Sequence, residues 1–269
     1  MTAPFPVRKV PHDFDRVPRR FAAGGNPVLG LECAALQALF PEGERFFISS
    51  MRKVAPRLAD PALREQVQAF CGQEAAHAKE HRGMCRMLER HGYSLGAFDS
   101  AFEKRLAWLE RHFSPAFCVA ITSGAEHLTH AYAAETLRGR LFDQDHPVIR
   151  DLHYWHAAEE IEHKEVAFAV LQALAPGRYL FRAAGFLVAI AFIGWHYLSA
   201  YRGLAAHDAL SRRERREGWR AARRVRPHVA SILLRSAWGY LRPDHRPGEL
   251  HDAHLASDYF AALYAGAAS

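Results

Sequence analysis

Two short strings constrain this chain more than anything else in it. Gln73-Glu74-Ala75-Ala76-His77 and Glu159-Glu160-Ile161-Glu162-His163 each set a glutamate three residues before a histidine. On an α-helix, residues three apart share a face, so each string can offer a carboxylate and an imidazole to one point. The surroundings repeat too. At a constant offset of 86 residues Pro61 matches Pro147, Arg64 matches Arg150, Glu65 matches Asp151, Glu74 matches Glu160 and His77 matches His163. Each glutamate stands 13 residues after a helix-opening proline, roughly 20 Å along a helix that rises ~1.5 Å per residue. Two related helices are expected, with their Glu/His pairs meeting at the middle of a bundle.

The rest of the chain also reads as helix. Residues 1–27, rich in Pro, Arg and Gly, form an irregular arm. A first helix, kinked at Pro41, runs from Val28 to Val54 and carries Glu44. A second opens at Asp60-Pro61 and reaches Leu88, and a short one covers 97–111. A third opens at Ser114-Pro115, carries Glu126 and stops at Gly139; a fourth opens at Pro147, preceded by Asp145, and closes near Pro176-Gly177. Further helices are expected up to about 223, over 227–240 and over 254–265. Sustained two-residue alternation of β-branched residues with hairpin turns is lacking, so the fold class is all-α. The expected organisation is a four-helix bundle over 28–177, with a long crossover between its second and third helices. Additional C-terminal helices over 178–269 pack on that bundle.

A chain of 269 residues, 49% of them hydrophobic, can bury an ample core. Cys33, Cys71, Cys85 and Cys118 show no C-x-x-C spacing, and no signal-peptide pattern precedes them, which points to reduced thiols and a cytoplasmic setting. The net charge of +6 is concentrated in eight arginines between Arg212 and Arg226. A solvated helix face and a surface attracted to anionic lipid are the two readings kept. Nucleic acid is set aside as a partner, because no aromatic interleaving accompanies the arginines. Residues 183–201 contain no Asp, Glu, Lys or Arg and are bounded by Arg182 and Arg202. That length matches a span of roughly 20 residues, and equally a central helix buried in the bundle. Trp195, Tyr197 and Tyr201 lie near one end, as an interfacial anchor would have them. If that reading holds, 183–226 contacts the inner face of an anionic membrane.

Two metal ions held close together need bridging anions, and two Glu/His pairs alone do not supply enough negative charge. The first and third helices should each add a carboxylate, and Glu44 and Glu126 occupy those places. Glu126 is flanked by small and apolar residues and Glu44 precedes the apolar Phe46-Phe47-Ile48, where a carboxylate without a cation is costly to bury. The candidate ligands are Glu44, Glu74, His77, Glu126, Glu160 and His163. His81, His130 and His156 each sit one turn from a candidate and enter as additional ligands or as hydrogen-bond partners behind them. Glu80, Glu159, Glu162 and Lys164 are expected to be solvated or supporting members of their helices.

The ordered set Glu44, Glu74-x-x-His77, Glu126, Glu160-x-x-His163 resembles the ferritin-like di-iron carboxylate superfamily. More narrowly, FPEGERFF, QEAAHAKEH, AEHLTH and WHAAEEIEHKEVAF resemble the bacterial family described as predicted metal-dependent hydrolases, over about residues 35–175. The superfamily resemblance implies two metal ions and an oxygen-dependent oxidoreductase that attacks a hydrophobic, lipid-like substrate and draws on an external electron donor. Carboxylate-rich sites suit iron first, with manganese or zinc as alternatives. The narrower family implies hydrolysis by metal-activated water instead. A third reading is a non-catalytic iron-binding protein. A homodimer is compatible with all three.

Overall fold

The computed structural model describes residues 5–225 and 229–267, and no strand occurs among them. Arg226 of the arginine cluster and Pro227, the expected start of a late helix, lie outside the described residues. Four helices carry the candidate ligands: α2 (Phe40–Val54), α3 (Pro61–Arg90), α5 (Pro115–Gly139) and α6 (Pro147–His163). A short turn joins α2 to α3 in one hairpin, and α5 pairs with α6 in a second. The hairpins meet chiefly through α2 and α5, while α3 and α6 touch little. Between α3 and α5 the chain runs through α4 (Gly96–His112), which packs on α2 and α5.

The helix starts follow the capping chemistry of the sequence. Asp60 accepts from the Ala62 amide and Ser114 from the Phe117 amide, each satisfying an N–H with no partner inside the helix. Asp145 does not cap α6: it accepts from the Ala23 amide at 3.0 Å and ties the N-terminal arm to the bundle. The arm is irregular but packed, with Phe14, Val17 and Phe21 buried.

Two expected helices are divided. The first is two helices, α1 (Pro27–Gln37) and α2, broken at Ala38-Leu39 so that Pro41 falls in the first turn of α2, where its missing N–H costs nothing. The fourth ends at His163, and α7 (Val166–Leu174) follows after Lys164 and Glu165 leave the helix. Beyond it, α8 (Tyr179–Asp208) and α9 (Arg212–Val225) are separated at Ala209, which adopts a left-handed φ of 48°. Then come α10 (Val229–Tyr240) and α11 (Ala253–Ala267). After α5 the left-handed residue is Arg140, at φ 50°, rather than Gly139.

The apolar core has two lobes. Along α3, Leu63, Val67, Phe70 and Cys71 belong to one, and Met84, Cys85, Met87 and Leu88 to the other. Between them lies a belt of buried polar residues running from Gln73 to His81. Outside this, α8 lies against α5 and α1. Its approach to α5 is close: a Cβ on Gly185 would lie 2.6 Å from the Ala120 backbone, and one on Gly124 would lie 2.8 Å from Phe186 Cα.

Candidate metal centre

In the polar belt all six core candidates converge. Glu74, Glu126, Glu160 and His163 form one group, and Glu44, Glu74 and His77 a second that shares Glu74. Within each group the potential ligand atoms lie within 4.8 Å of one another, and every residue is buried. Their arrangement follows from helix geometry: α3 and α6 each contribute a Glu/His pair from one face, and α2 and α5 contribute one carboxylate each.

The hydrogen bonds behind the two histidines decide which ring nitrogen faces the cluster. Gln73 donates through Nε2 to Glu162 Oε2 and to the Pro6 carbonyl, so its Oε1 is left to accept from His163 Nδ1 at 2.9 Å. The Nε2 lone pair of a neutral His163 then points at Glu126 (3.2 Å), Glu74 (3.3 Å) and Glu160 (3.5 Å). For His77, Nε2 donates to Glu159 Oε2 at 2.9 Å, while Glu159 Oε1 accepts from Arg8. Its Nδ1 therefore faces Glu74 at 3.6 Å and Glu160 at 3.8 Å. Lone pairs aimed at carboxylates repel unless a cation lies between them.

Both oxygens of Glu44, Glu74 and Glu126, together with Glu160 Oε2, His77 Nδ1 and His163 Nε2, are buried without a hydrogen-bond partner among the described residues. Buried polar atoms are rarely left so, and each costs about 1–3 kcal/mol. Electrostatics tell the same story. Burial and the neighbouring Glu160 push Glu74 and Glu126 up to about 8. Burial, Glu74 and Glu160 lift Glu44 well above the usual carboxylate range. Burial also opposes the charge on Glu160, yet His163 and His156 outweigh it and hold this carboxyl far below its ordinary value. Likewise the facing carboxylates overcome burial and raise His163.

Of the three additional histidines, two join the cluster. His81 Nε2 lies 3.6 Å from Glu44 and 2.7 Å from His156 Nδ1, and His156 Nε2 lies 2.9 Å from Glu160. Phe40 stacks on His81 at 4.4 Å. Behind them, His153 Nδ1 is committed to the Ile149 carbonyl, so Gln37 Nε2 donates to His153 Nε2 and Gln37 Oε1 accepts from His81 Nδ1. With that proton committed, the two remaining bonds of the string need two protons. His156 and Glu160 together must hold one more than a neutral imidazole and a carboxylate carry. This part of the cluster too calls for a positive charge.

His130 does not join. It lies one turn beyond Glu126, but its Nε2 bonds Asp252, in the segment before α11, at 2.8 Å. Glu159 is not solvated but fully buried, holding His77 from behind, and Glu80 accepts from the His12 amide and ring. Lys164 is also buried, bonded to Asp252 and the Leu250 carbonyl.

The sequence assigned no role to Gln73, Gln37, His153 or Arg8. Gln73 had a visible signal, adjoining Glu74 inside the motif, and Gln37 stands alone as an amide in an Ala/Leu run. Arg8 had none. It reaches the site because the N-terminal arm lies over the gap between α3 and α6, with Phe5 6.0 Å from the His163 ring and Arg8 bonded to both Glu159 and Glu162.

The residues fit divalent metal: oxygen and imidazole donors only, unsatisfied atoms converging, and supporting bonds that orient each ring. No curated protein and no solved structure matches this chain. Residues 6–251 match the family described as predicted metal-dependent hydrolase. That match takes in most of the arm, all four ligand-bearing helices and the following helices as far as α10, and the chain therefore belongs to this family.

Proposed function

We propose that the chain is a hydrolase dependent on a dinuclear metal centre. Glu44, Glu74 and His77 would hold one ion, Glu74, Glu126, Glu160 and His163 the other, and His81 and His156 adjoin the first. The observation that carries this reading is the convergence of buried, unsatisfied carboxylate and imidazole atoms from four helices. The family description supports hydrolysis over the oxidation that the superfamily resemblance implies. Paired divalent ions would acidify a bound water and polarise an ester, amide or phosphoester carbonyl or phosphoryl group.

The chain's own residues have definable tasks. Gln73 and Glu159 hold the His163 and His77 rings in one tautomer, keeping a single nitrogen of each turned inward. Gln37 does the same for His81. Burial and the neighbouring His156 and His77 hold His81 well below the usual imidazole range, so it stays neutral. With His81 neutral, its Nε2 accepts from His156 Nδ1, and His156 Nε2 faces Glu160. Phe40, Phe70 and Trp155 pack on the imidazoles and exclude bulk water.

A second reading, iron-dependent oxidation of a hydrophobic substrate with an external electron donor, is favoured by one observation: the donor set is rich in carboxylates and free of sulfur. A ferritin-like bundle and a di-iron centre belong to that reading. One experiment separates the two. The protein is purified without added metal, assayed for metal, and reloaded with zinc, manganese or ferrous iron. It is then tested on a panel of esters, amides and phosphoesters, and separately with oxygen after anaerobic iron loading. Metal-dependent cleavage that Glu74→Gln abolishes supports the hydrolase. Oxygen consumption with a transient visible absorption, and no cleavage, overturns it in favour of oxidation. Stable metal uptake with neither activity leaves a binding protein and overturns both.

A further inference from the structure

We infer that the outer face formed by α8, α9 and α10 docks on an anionic lipid bilayer. Among the described residues α8 is the one helix long and apolar enough to cross a membrane, yet the protein buries only 28% of its most apolar window. The buried face carries Arg182, Gly185, Phe186, Ala189, His196, Ala200 and Leu204 and is sealed against α5 and α1. The opposite face presents Leu180, Leu187, Ile190, Trp195 (64% exposed) and Leu198 to the outside, at helical spacing. A helix sealed along one side, with an arginine and a histidine on that side, cannot be surrounded by lipid. It can lie in the interfacial plane.

The neighbours extend this face. Beside the N-terminal half of α8, Arg182 bonds the Tyr240 and Arg242 carbonyls and Tyr179 bonds the Leu241 carbonyl, which fixes the C-terminal end of α10 there while α10 itself packs on α5. There Leu234 and Trp238 stand 72% and 77% exposed. Beside the C-terminal half, α9 lies on α1 through Gly218 and Ala222, and Tyr201 of α8 reaches Trp219 at 6.5 Å between ring centroids. The outward side of α9 holds Arg212, Arg213, Arg215, Arg216, Arg220, Arg223 and Arg224, all exposed, against Glu214 and Glu217. Exposed tryptophans and leucines flanked by a dense arginine row match a bilayer with anionic head groups: the apolar residues enter the acyl boundary and the guanidiniums meet phosphates. A second copy of the chain would fit the apolar stripe but would place two arginine rows near one another, and the charge pattern favours lipid.

The test uses full-length protein in vesicle co-sedimentation, with phosphatidylcholine alone and with phosphatidylcholine mixed with phosphatidylglycerol, at low and high salt. Binding to the mixed vesicles is expected, at least about tenfold weaker without phosphatidylglycerol and strongly reduced by salt. Trp195→Glu and, separately, the triple variant Arg215→Glu/Arg216→Glu/Arg220→Glu should each lose about tenfold or more while keeping the wild-type circular dichroism and melting transition. No binding to either vesicle overturns the proposal, as does equal binding by wild type and both variants. So does a dimer in sedimentation velocity that Trp195→Glu dissociates without any vesicle binding, which would make this face an interface between copies.

Discussion

Two buried polar clusters draw on α5 one helix turn apart, at Glu126 and His130, and they are built on opposite principles. In the second, Asp252 accepts from His130 and Lys164, and Lys164 also reaches the Leu250 carbonyl. Positive and negative groups balance there. Burial pulls Asp252 upward, but His130 and Lys164 overcome it and hold the carboxyl down at about 2. In the first cluster four carboxylates face one another, and most of their oxygens have no partner among the described residues. The contrast separates a clasp, complete in itself, from a site that a cation would complete. The clasp ties the segment before α11 to the α6–α7 break.

The largest effect is expected from Glu74→Gln, because Glu74 belongs to both ligand groups. Metal content measured by elemental analysis should collapse, and with it all metal-dependent rise in melting temperature. The metal-free protein should instead gain about 1–3 kcal/mol in chemical denaturation at neutral pH, since a carboxyl that must take up a proton to be buried is gone. Retention of two metals by this variant would break the proposed assignment. Asp252→Ala should act with the opposite sign, costing about 3–5 kcal/mol by leaving Lys164 buried and unpaired, with metal stoichiometry intact. Unchanged stability would show the clasp to be unimportant.

A smaller effect is expected behind the ligands. Gln73→Leu keeps the volume but removes the acceptor that orients His163, and metal affinity measured by competition with a chelator should fall about 10–100-fold, or roughly 1.4–2.7 kcal/mol. The slope of stability with pH is the smallest signal but the one that best separates the clusters. In metal-free protein the folded state keeps protons on Glu44, Glu74 and Glu126 that the unfolded chain releases, so stability should fall as pH rises from about 4.5 to about 8. Saturating metal should flatten that fall. Asp252, depressed when folded, gives the reverse: its contribution is full above about pH 4 and is lost as pH drops towards 2. Melting curves across both ranges, with and without metal, read the two slopes apart.

Much of the cluster was readable in advance, and the reason is local. Glu74 with His77 and Glu160 with His163 share a face because three residues nearly complete a turn, whatever the rest of the chain does. Glu44 and Glu126 followed from their order along the helices. The three additional histidines looked alike, each one turn from a candidate ligand, yet His81 and His156 entered the cluster while His130 turned away. What separates them is the partner each meets in the fold, Glu160 and Gln37 on one side and Asp252 on the other. The break at Lys164 was equally hidden, because Lys164 and Glu165 are ordinary helix formers and their partner Asp252 is remote in sequence. Residues 183–201 posed a choice between burial in the bundle and contact with a membrane, and in the structure one face of the helix lies against α5 and α1 while the other is exposed.

By itself the sequence determined an all-helical chain, the starts of α3, α5 and α6, and which carboxylates and imidazoles share a helix face, since capping and the 3.6-residue turn operate within a few residues. The tertiary structure decided which of those faces meet, which histidines serve the cluster and which the clasp, and how Gln37, Gln73 and Arg8 come to stand behind it. Those outcomes depend on crossing angles and on the path of the N-terminal arm, set by packing between residues far apart in the chain, and no local pattern records them.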